Sequence, residues 1–351
     1  MGTAAHIAWF DEIGLGDRGQ VGGKGGSLGE LKRAGIAVPP GYVVKTGAFE
    51  RFLASLEREA PVRAAVAALR PDDLEAITAC SRELRRRVED AELPGEVLDE
   101  LSAARQRLVG GATVQAVAVR SSATTEDAAE ASFAGLQDTY LWVKDAEVIP
   151  RVRSCWASLY SVESISYRRR QGFPEERVAM AVVVQTMVDA RTAGVMFTRS
   201  PTTGDRSVVT IEGAWGLGSA VVGGEVTPDR WVLGKVTGEI AVRDISDKLI
   251  EHVAAAAGGI EAVAVAGERR RTPCLSDAEL EELRSLARRI ERHYGCAQDV
   301  EWAVERASGA ILTLQSRPET VWSARDAAPI AKREEDPRMH LLSIFGTRRC
   351  P

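Results

Sequence analysis

Hydrophobic and polar positions along the chain follow a helical period in some stretches and a strand period in others, which predicts a mixed α/β protein. Residues 48–109 are rich in Ala, Leu, Glu and Arg and are broken by three prolines, a pattern typical of several amphipathic helices. A helix is also predicted at 156–170, and the apolar run at 178–184 predicts a strand buried on both faces. A hairpin is predicted within 194–212, and a helix capped by the preceding serine at 277–294.

Two segments near the end of the sequence alternate between an apolar and a polar face, as strands do. On residues 299–304 the polar face carries Asp299 and Glu301, while valine and tryptophan side chains occupy the other face. On the second segment, residues 311–318, leucines occupy one face, and the polar face carries Thr313, Gln315 and Arg317.

The register of these two strands follows from the turn between them. A three-residue loop at 307–309, with its glycine in the left-handed conformation, pairs Glu301 with Gln315 and Asp299 with Arg317. A two-residue loop would place the apolar side chains on mixed faces, so the hydrophobic pattern favours the longer loop. Oxygen ligands and a cation then lie side by side, which predicts a site for a metal-bound polyphosphate.

The composition is that of a globular protein with about two domains, since the chain has 351 residues, of which 45% are hydrophobic and 27% charged. No apolar run approaches the roughly 20 residues that cross a bilayer. The first nine residues lack the basic start and the apolar stretch of a signal peptide. We therefore expect a cytoplasmic protein without a membrane partner.

Cysteine usage and net charge exclude other classes of function. The five cysteines are an odd number, widely scattered and without a C-x-x-C pair, which argues against a disulfide framework and a zinc site. A formal net charge of −5 gives no general reason to bind nucleic acid, because that interaction depends on neutralising phosphates.

Three glycine clusters are candidates for a nucleotide loop. The cluster at 14–19 matches G-x-G-x-x-G, but no strand-to-helix unit surrounds it. The cluster at 22–26 fails the P-loop pattern, because Gly25 stands where Ser or Thr must hold magnesium. Its glycines would still let Lys24 approach a phosphate, the alternative being an exposed lysine on a flexible turn. The cluster at 213–218 either lines a ligand or permits tight packing.

Local signals place two cations at the ends of predicted elements. A helix is predicted at 27–34, directly after the glycine cluster that contains Lys24, with Ser27 as its N-cap. Arg120 ends a predicted strand at 114–120, where its guanidinium can face a crevice and grip phosphate oxygens. The alternative is a salt bridge from Arg120 to the acidic residues that follow it.

Seven short motifs follow one another along the chain: GKGGSLGEL at 23–31, VPPGY at 38–42, VRSSATTED at 119–127, SFAG at 132–135, GVMFT at 194–198, WGLG at 215–218 and LQSRP at 314–318. Together they resemble the nucleotide-binding part of the phosphoenolpyruvate synthase and pyruvate phosphate dikinase family, which also includes rifampin phosphotransferase. The resemblance extends over most of the chain. It implies an ATP-grasp fold, an α/β architecture in which two lobes hold ATP between their sheets.

The resemblance also implies a division of the chain and roles for its cations and oxygen ligands. The N-terminal lobe with a helical insertion would span 1–184, the C-terminal lobe 185–322, and an irregular tail 323–351. The catalytic, phosphate-binding cations would be Lys24, Arg120 and Arg317. The Mg²⁺ ligands would be Glu301 and Gln315, with Asp299 close behind.

For the nucleoside, the resemblance implies a hinge beside the adenine and a carboxylate near the ribose. The hinge would include Gln185, Met187 and Val188, where backbone groups read the edge of the purine and Met187 offers an apolar surface. Glu212 is the candidate for the ribose hydroxyls. ATP and Mg²⁺ are thus the expected cofactors.

The family's nucleophile has no counterpart in this sequence. In the family, a histidine on a separate swivelling domain attacks the β-phosphate of ATP, releases AMP and carries the phosphoryl group to a distant acceptor. That histidine lies in a Thr-Ser-His-Ala-type loop, which is absent here. The four histidines, at 6, 252, 293 and 340, are expected to be structural or exposed.

Three functions are compatible with these features. The first is an ATP-binding subunit that passes phosphate to a histidine on a partner protein with a swivelling domain. The second is a self-sufficient ATP-grasp enzyme that activates a small carboxylate or hydroxyl, and the third is a non-catalytic nucleotide-binding regulator. The full set of phosphate and metal residues argues against the regulator, and an excised domain of a larger enzyme is a further alternative.

Overall fold

The computed structural model describes residues 5–110, 116–123 and 138–320, together with Trp322. Two antiparallel sheets organise these residues and confirm the predicted α/β class. The strands of the first sheet are β1 (Ile7–Trp9), β2 (Gly41–Val44), β3 (Val117–Ala123), β4 (Thr139–Val143) and β5 (Met180–Thr186), in the order β1-β2-β5-β3-β4. The predicted tail at 323–351 and the SFAG motif lie outside the described residues.

The second sheet has six strands in the order β13-β12-β6-β7-β8-β9. Its strands are β6 (Ala190–Phe197), β7 (Val208–Trp215), β8 (Asp229–Gly234), β9 (Ile240–Asp244), β12 (Gln298–Glu305) and β13 (Ile311–Pro318). A separate two-stranded hairpin consists of β10 (Ile250–Ala254) and β11 (Ile260–Ala264). The proposed lobe boundary at 184/185 falls within the last residues of β5 and stays a prediction.

Nine α-helices occur in the described part of the chain. They are α1 (Arg18–Arg33), α2 (Thr46–Leu56), α3 (Val62–Ala67), α4 (Leu74–Asp90), α5 (Gly95–Val109), α6 (Val148–Ala157), α7 (Val162–Gln171), α8 (Ser219–Val222) and α9 (Asp277–Tyr294). None of the described helices has the length and apolar character needed to span a membrane. The helix predicted at 156–170 is divided between α6 and α7, because Ser161 caps α7 by accepting from the Ser164 amide at 3.1 Å.

The first sheet is covered on both faces. Val119 and Val184 point into a core formed with the helical segment, where Phe52 stacks on Trp156 at 5.0 Å. Alternate residues such as Val183 point to the opposite face, where they pack against α1. Arg120 lies opposite Val183 and therefore shares the α1 face of the sheet.

The second sheet packs one face on α9 and turns the other toward the first sheet. The α9 helix has the predicted Ser276 cap, reinforced by Glu279. Trp302 is fully buried between this helix and the sheet, in a cluster with Leu283. Leu31 of α1 belongs to the same cluster, so α1 packs against both sheets. The remaining face of β12 and β6 borders a cleft between the sheets.

Candidate functional site

The hairpin of β12 and β13 has the predicted pairing at its polar end. Asp299 lies opposite Arg317, and Glu301 lies opposite Gln315. Just beyond Glu301 the pairing shifts by one residue, because Leu314 is an extra residue on β13. Such a bulge is common beside functional sites, where it changes the direction of a side chain. The bulge places Gln315 on the face of Glu301.

The turn of this hairpin differs from the prediction. The Glu305 amide donates to the Ala310 carbonyl at 2.9 Å, which leaves four residues in the loop instead of three. Gly309 has the expected left-handed conformation, with φ of +72°. Thr313 lies opposite Trp302 and so faces the core, not the polar face that the alternation predicted. The bulge at 314 compensates for the longer loop and restores the register at the polar end.

Arg120 lies inside β3 and not at its end as predicted, because the strand continues to Ala123. Its side chain reaches the second sheet. Nη1 donates to the Leu314 carbonyl at 3.0 Å, and Nη2 donates to Glu301 Oε2 at 3.2 Å and to the Gln315 side-chain oxygen. The Arg120 side chain is 9% exposed and that of Glu301 is 31% exposed. One largely buried guanidinium therefore joins the two sheets.

Asp299 contributes a second carboxylate beside Glu301. Burial raises the pKa of Asp299 to about 6, although the Arg317 guanidinium, with Nε 3.4 Å from Oδ2, opposes that rise. The other oxygen, Oδ1, is buried and has no hydrogen-bond partner among the described residues. Buried polar atoms without partners are rare, and this oxygen is suited to bind a metal ion or to accept a hydrogen bond from a ligand.

The oxygens around Arg120 fit a magnesium ion shared with phosphates. No group of three or more His, Cys, Asp or Glu side chains in the described residues could hold a metal by itself. The hairpin instead offers the carboxylates of Asp299 and Glu301 and the amide oxygen of Gln315. Mg²⁺ commonly takes one or two carboxylates, substrate phosphates and several waters, so these residues suffice.

Lys24 lies within α1, because the helix extends through the glycine cluster that was predicted to be a loop. The helix is interrupted only at Gly22, with φ of +70° and ψ of 176°. The Gly25 amide donates to Ser122 Oγ at 3.2 Å, which holds this segment against β3. Lys24 is half-buried; burial raises the pKa of the nearby Cys155 thiol, and the Lys24 ammonium opposes that rise.

The predicted N-cap Ser27 lies in the interior of α1, where it joins this helix to the second sheet. Its hydroxyl donates to the Ser316 carbonyl at 2.6 Å. One turn later, Glu30 Oε1 lies 2.7 Å from His293 Nε2 on α9. Burial raises the pKa of Glu30, but hydrogen bonds from His293 and the Leu15 amide outweigh it and lower the pKa overall. These tertiary contacts explain why Ser27 does not begin a helix.

A cleft of about 510 Å³ lies between the two sheets. Its volume is within the range typical of small-molecule sites. Of the predicted site residues, five line it: Arg120, Gln185, Met187, Val188 and Glu301. The other five lie outside its lining: Lys24, Glu212, Asp299, Gln315 and Arg317.

The hinge residues form the apolar end of the cleft. Met187 and Val188 belong to an apolar cluster that includes Leu217. The Met187 amide donates to the Ala116 carbonyl at 3.0 Å, so this N–H is already used within the fold. Gln185 is buried. This end is suited to a flat apolar group, while Arg120 and Glu301 mark the charged end.

Glu212 lies on the same face of the second sheet as Glu301, two strands away. It is opposite Val195 of β6, which is in turn opposite Glu301. The Glu212 carboxylate is 3.9 Å from Arg230 Nε. Glu212 is therefore separated from Glu301 by one strand, β6, and does not line the cleft.

Further polar side chains at the cleft were not singled out from the sequence. Arg151 lines it, with its guanidinium carbon 4.9 Å from the centroid of the Tyr140 ring. Ser219 also lines it, and Ser219 Oγ is 2.9 Å from His252 Nδ1. The position of Ser219 directly after a dense glycine cluster was a usable signal, whereas nothing in the local sequence distinguishes Arg151 from other helical arginines.

Comparison with known families identifies the matched region. A family model described as "Pyruvate phosphate dikinase, AMP/ATP-binding domain" matches residues 18–337. A solved structure of D-alanyl-alanine synthetase A from Vibrio cholerae is 12% identical and covers 70% of this chain and 57% of that one, but its TM-score of 0.27 is too low to support an argument.

Several curated proteins are similar over nearly the whole chain. A probable phosphoenolpyruvate synthase from Methanocaldococcus jannaschii is 40% identical, covering 97% of this chain and 29% of that protein. One from Methanothermobacter thermautotrophicus is 41% identical, covering 94% and 48%. A rifampicin phosphotransferase from Streptomyces sviceus is also 41% identical, covering 91% and 36%. The chain therefore spans less than half the length of each of these relatives.

Proposed function

Because the chain belongs to the pyruvate phosphate dikinase AMP/ATP-binding domain family, we propose that its cleft binds ATP with Mg²⁺ and prepares the β-phosphate for transfer to a histidine, with release of AMP. The observation that carries this proposal is the meeting of Arg120 with Glu301 and Gln315 at the charged end of the cleft. A cation and two oxygen ligands at one point are what a metal-bound polyphosphate requires.

The hinge residues and the cations of the first lobe would bind the nucleotide from one side. Met187 and Val188 provide an apolar surface for the adenine, and Arg120 provides a guanidinium for phosphate oxygens. Lys24, beside β3 on α1, would add a second positive charge. Because phosphoryl transfer needs little covalent participation from the protein, positioning and charge stabilisation by these groups are its main contribution.

The hairpin of the second lobe would hold the metal and the remaining phosphate charge. Glu301, Gln315 and Asp299 would bind Mg²⁺, and the unpartnered Asp299 Oδ1 supports their fit. The ion would neutralise negative charge on the phosphates. Arg317, which is exposed beside Asp299, would contact the outer phosphates. We keep Glu212 as a proposed contact for the ribose.

The accepting histidine is proposed to lie outside these 351 residues. Two of the described histidines already have side-chain partners: His252 is buried against Ser219, and His293 contacts Glu30 of α1. The curated relatives are longer proteins, and they give no support to a separate partner polypeptide. From their names we carry over only the class of ATP-dependent phosphotransferase.

Two measurements test the proposal. Calorimetric titration with ATP and Mg²⁺ should show stoichiometric binding, and Glu301→Gln should weaken it at least tenfold, the effect of removing a charge-assisted interaction. Labelled ATP incubated with the chain alone should give no AMP. Absence of ATP binding would refute the proposal. AMP formed by the chain alone would place the nucleophile within it, and ADP formed with an added small carboxylate would favour the self-sufficient enzyme.

A further inference from the structure

The Arg120 guanidinium occupies the position between the oxygens that the proposed metal would use. Its Nη2 group donates to both Glu301 Oε2 and the Gln315 side-chain oxygen, and Nη1 is anchored to the Leu314 carbonyl. The bulge at 314 brings these three acceptors together, because it turns Gln315 toward Glu301 and presents the Leu314 carbonyl beside them.

A guanidinium and a divalent cation compete for these oxygens, because both are positively charged. Arginine stays protonated in proteins, so it cannot remove the repulsion by losing a proton. Mg²⁺ also needs its oxygens at 2.0–2.1 Å in near-octahedral geometry, and a guanidinium held on Glu301 Oε2 and the Gln315 oxygen disfavours that arrangement. A free metal ion therefore binds Glu301 and Gln315 against both the charge and the hydrogen bonds of Arg120.

We propose that Arg120 closes the metal site to free cations and opens it only when a phosphate group draws the guanidinium away. This inference rests on the proposed function of the cleft. It means that the chain takes up a metal–nucleotide complex, or nucleotide before metal, and does not bind the metal first. Binding of metal and nucleotide is then positively coupled, and each raises the affinity for the other by the same factor.

Arg120 is equipped for this exchange. Its Nε is buried and has no hydrogen-bond partner among the described residues, so the present arrangement leaves one donor of the guanidinium unsatisfied. Phosphate oxygens match the planar fork of arginine better than an amide and a single carboxylate oxygen do. Arg120 also lines the cleft, so the phosphates reach it directly.

The hairpin also contains a matched control. Arg306, at the opposite end of β12, pairs with Asp189 at 3.2 Å and is exposed. Its replacement removes one guanidinium charge, as the Arg120 replacement does, but touches neither Glu301 nor Gln315. Arg120→Met keeps a long side chain against the cleft wall and removes only the charge and the donors.

The experiment measures binding of Mn²⁺ to the full chain by electron paramagnetic resonance, without nucleotide. Wild type and Arg306→Met should bind Mn²⁺ weakly and equally. Arg120→Met should bind it at least tenfold more tightly, as expected when one charge-assisted hydrogen bond no longer competes. In wild type, a non-hydrolysable ATP analogue should raise Mn²⁺ affinity by at least the same factor.

The outcomes separate the two proposals. If Arg120→Met binds free Mn²⁺ no better than wild type, or if wild type binds it equally well with and without the analogue, the closing role of Arg120 is wrong. If the analogue itself does not bind in the presence of Mn²⁺, the proposed function of the cleft is wrong. If Arg120→Met does not fold, the Mn²⁺ affinity of wild type is still compared with and without the analogue, and equal affinities would refute the closing role of Arg120. Glu301→Gln should then lose the Mn²⁺ site that depends on the analogue.

Discussion

Gly22 is a position near the proposed phosphate site at which one added methyl group should be strongly destabilising. Its φ of +70° and ψ of 176° lie in a region that is essentially restricted to glycine. A Cβ there would lie 2.2 Å from the Ser122 carbonyl oxygen and 2.6 Å from the carbonyl carbon, so it meets backbone that cannot rotate away. Gly22→Ala therefore combines backbone strain with displacement of β3.

The size of the effect follows from these two contributions. The backbone conformation costs about 1–3 kcal/mol for a non-glycine residue, and overpacking against a fixed neighbour costs about 1–3 kcal/mol more. Gly35 is a matched control, because its φ of +67° is also left-handed but a Cβ there meets nothing within 4 Å. Gly35→Ala should cost only about 1–2 kcal/mol.

Urea unfolding and ATP titration of the two variants test this reasoning. Gly22→Ala should lose about 2–6 kcal/mol of unfolding free energy. It should bind ATP at least tenfold more weakly, because Ser122 lies two residues from Arg120 on β3. Gly35→Ala should bind ATP as wild type does. Equal losses of stability in the two variants would refute the claim that Gly22 is fixed by its contact with β3.

Three further predictions concern charge and reactivity. Glu301→Gln should weaken Mg–ATP binding in calorimetry but cost less than about 2 kcal/mol in urea unfolding, because its carboxylate is partly exposed; unchanged binding would exclude it as a ligand. Glu30 has a lowered pKa, so its stabilising effect is present above its ordinary pKa of 4.5 and is lost as pH falls through the lower folded value. Glu30→Gln should therefore flatten the acid side of the stability profile, and an unaltered profile would contradict this. Iodoacetamide should modify the exposed Cys296 quickly, whereas Cys155, which is buried and has a raised thiol pKa, should react only after unfolding. Mass spectrometry of the labelled peptides measures both rates, and labelling of Cys155 in the folded protein would contradict the prediction.

Alternation along single strands predicted the polar end of the β12–β13 hairpin correctly. The pairing of Glu301 with Gln315 follows from which side chains must share a face, and that information is local. The length of the turn and the bulge at Leu314 were not predictable in the same way. The longer turn and the bulge each shift the register by one residue, in opposite directions, so the pairing at the polar end is the same as without them.

Contacts between distant parts of the chain account for most other differences. Arg120 was expected to interact with a ligand or with neighbouring acids, but its partner Glu301 is 181 residues away. Ser27 has the sequence of a helix cap, yet its hydroxyl is used by Ser316. The glycines around Lys24 indicated only that it could approach a phosphate, and the roles of the hinge residues came from family resemblance, because no local pattern specifies which cleft a methionine will border.

The α1 helix has a consequence for the order in which the protein is made. Ser27 bonds to Ser316, which is 289 positions later, and Leu31 packs into the core beneath β12. At about 5–20 residues per second, α1 leaves the ribosome roughly 15–60 s before β13 does. This helix can pack on the first sheet once β5 has been made, but its contacts with the second sheet wait for the last strands, so shorter nascent chains leave the Leu31 side of α1 uncovered.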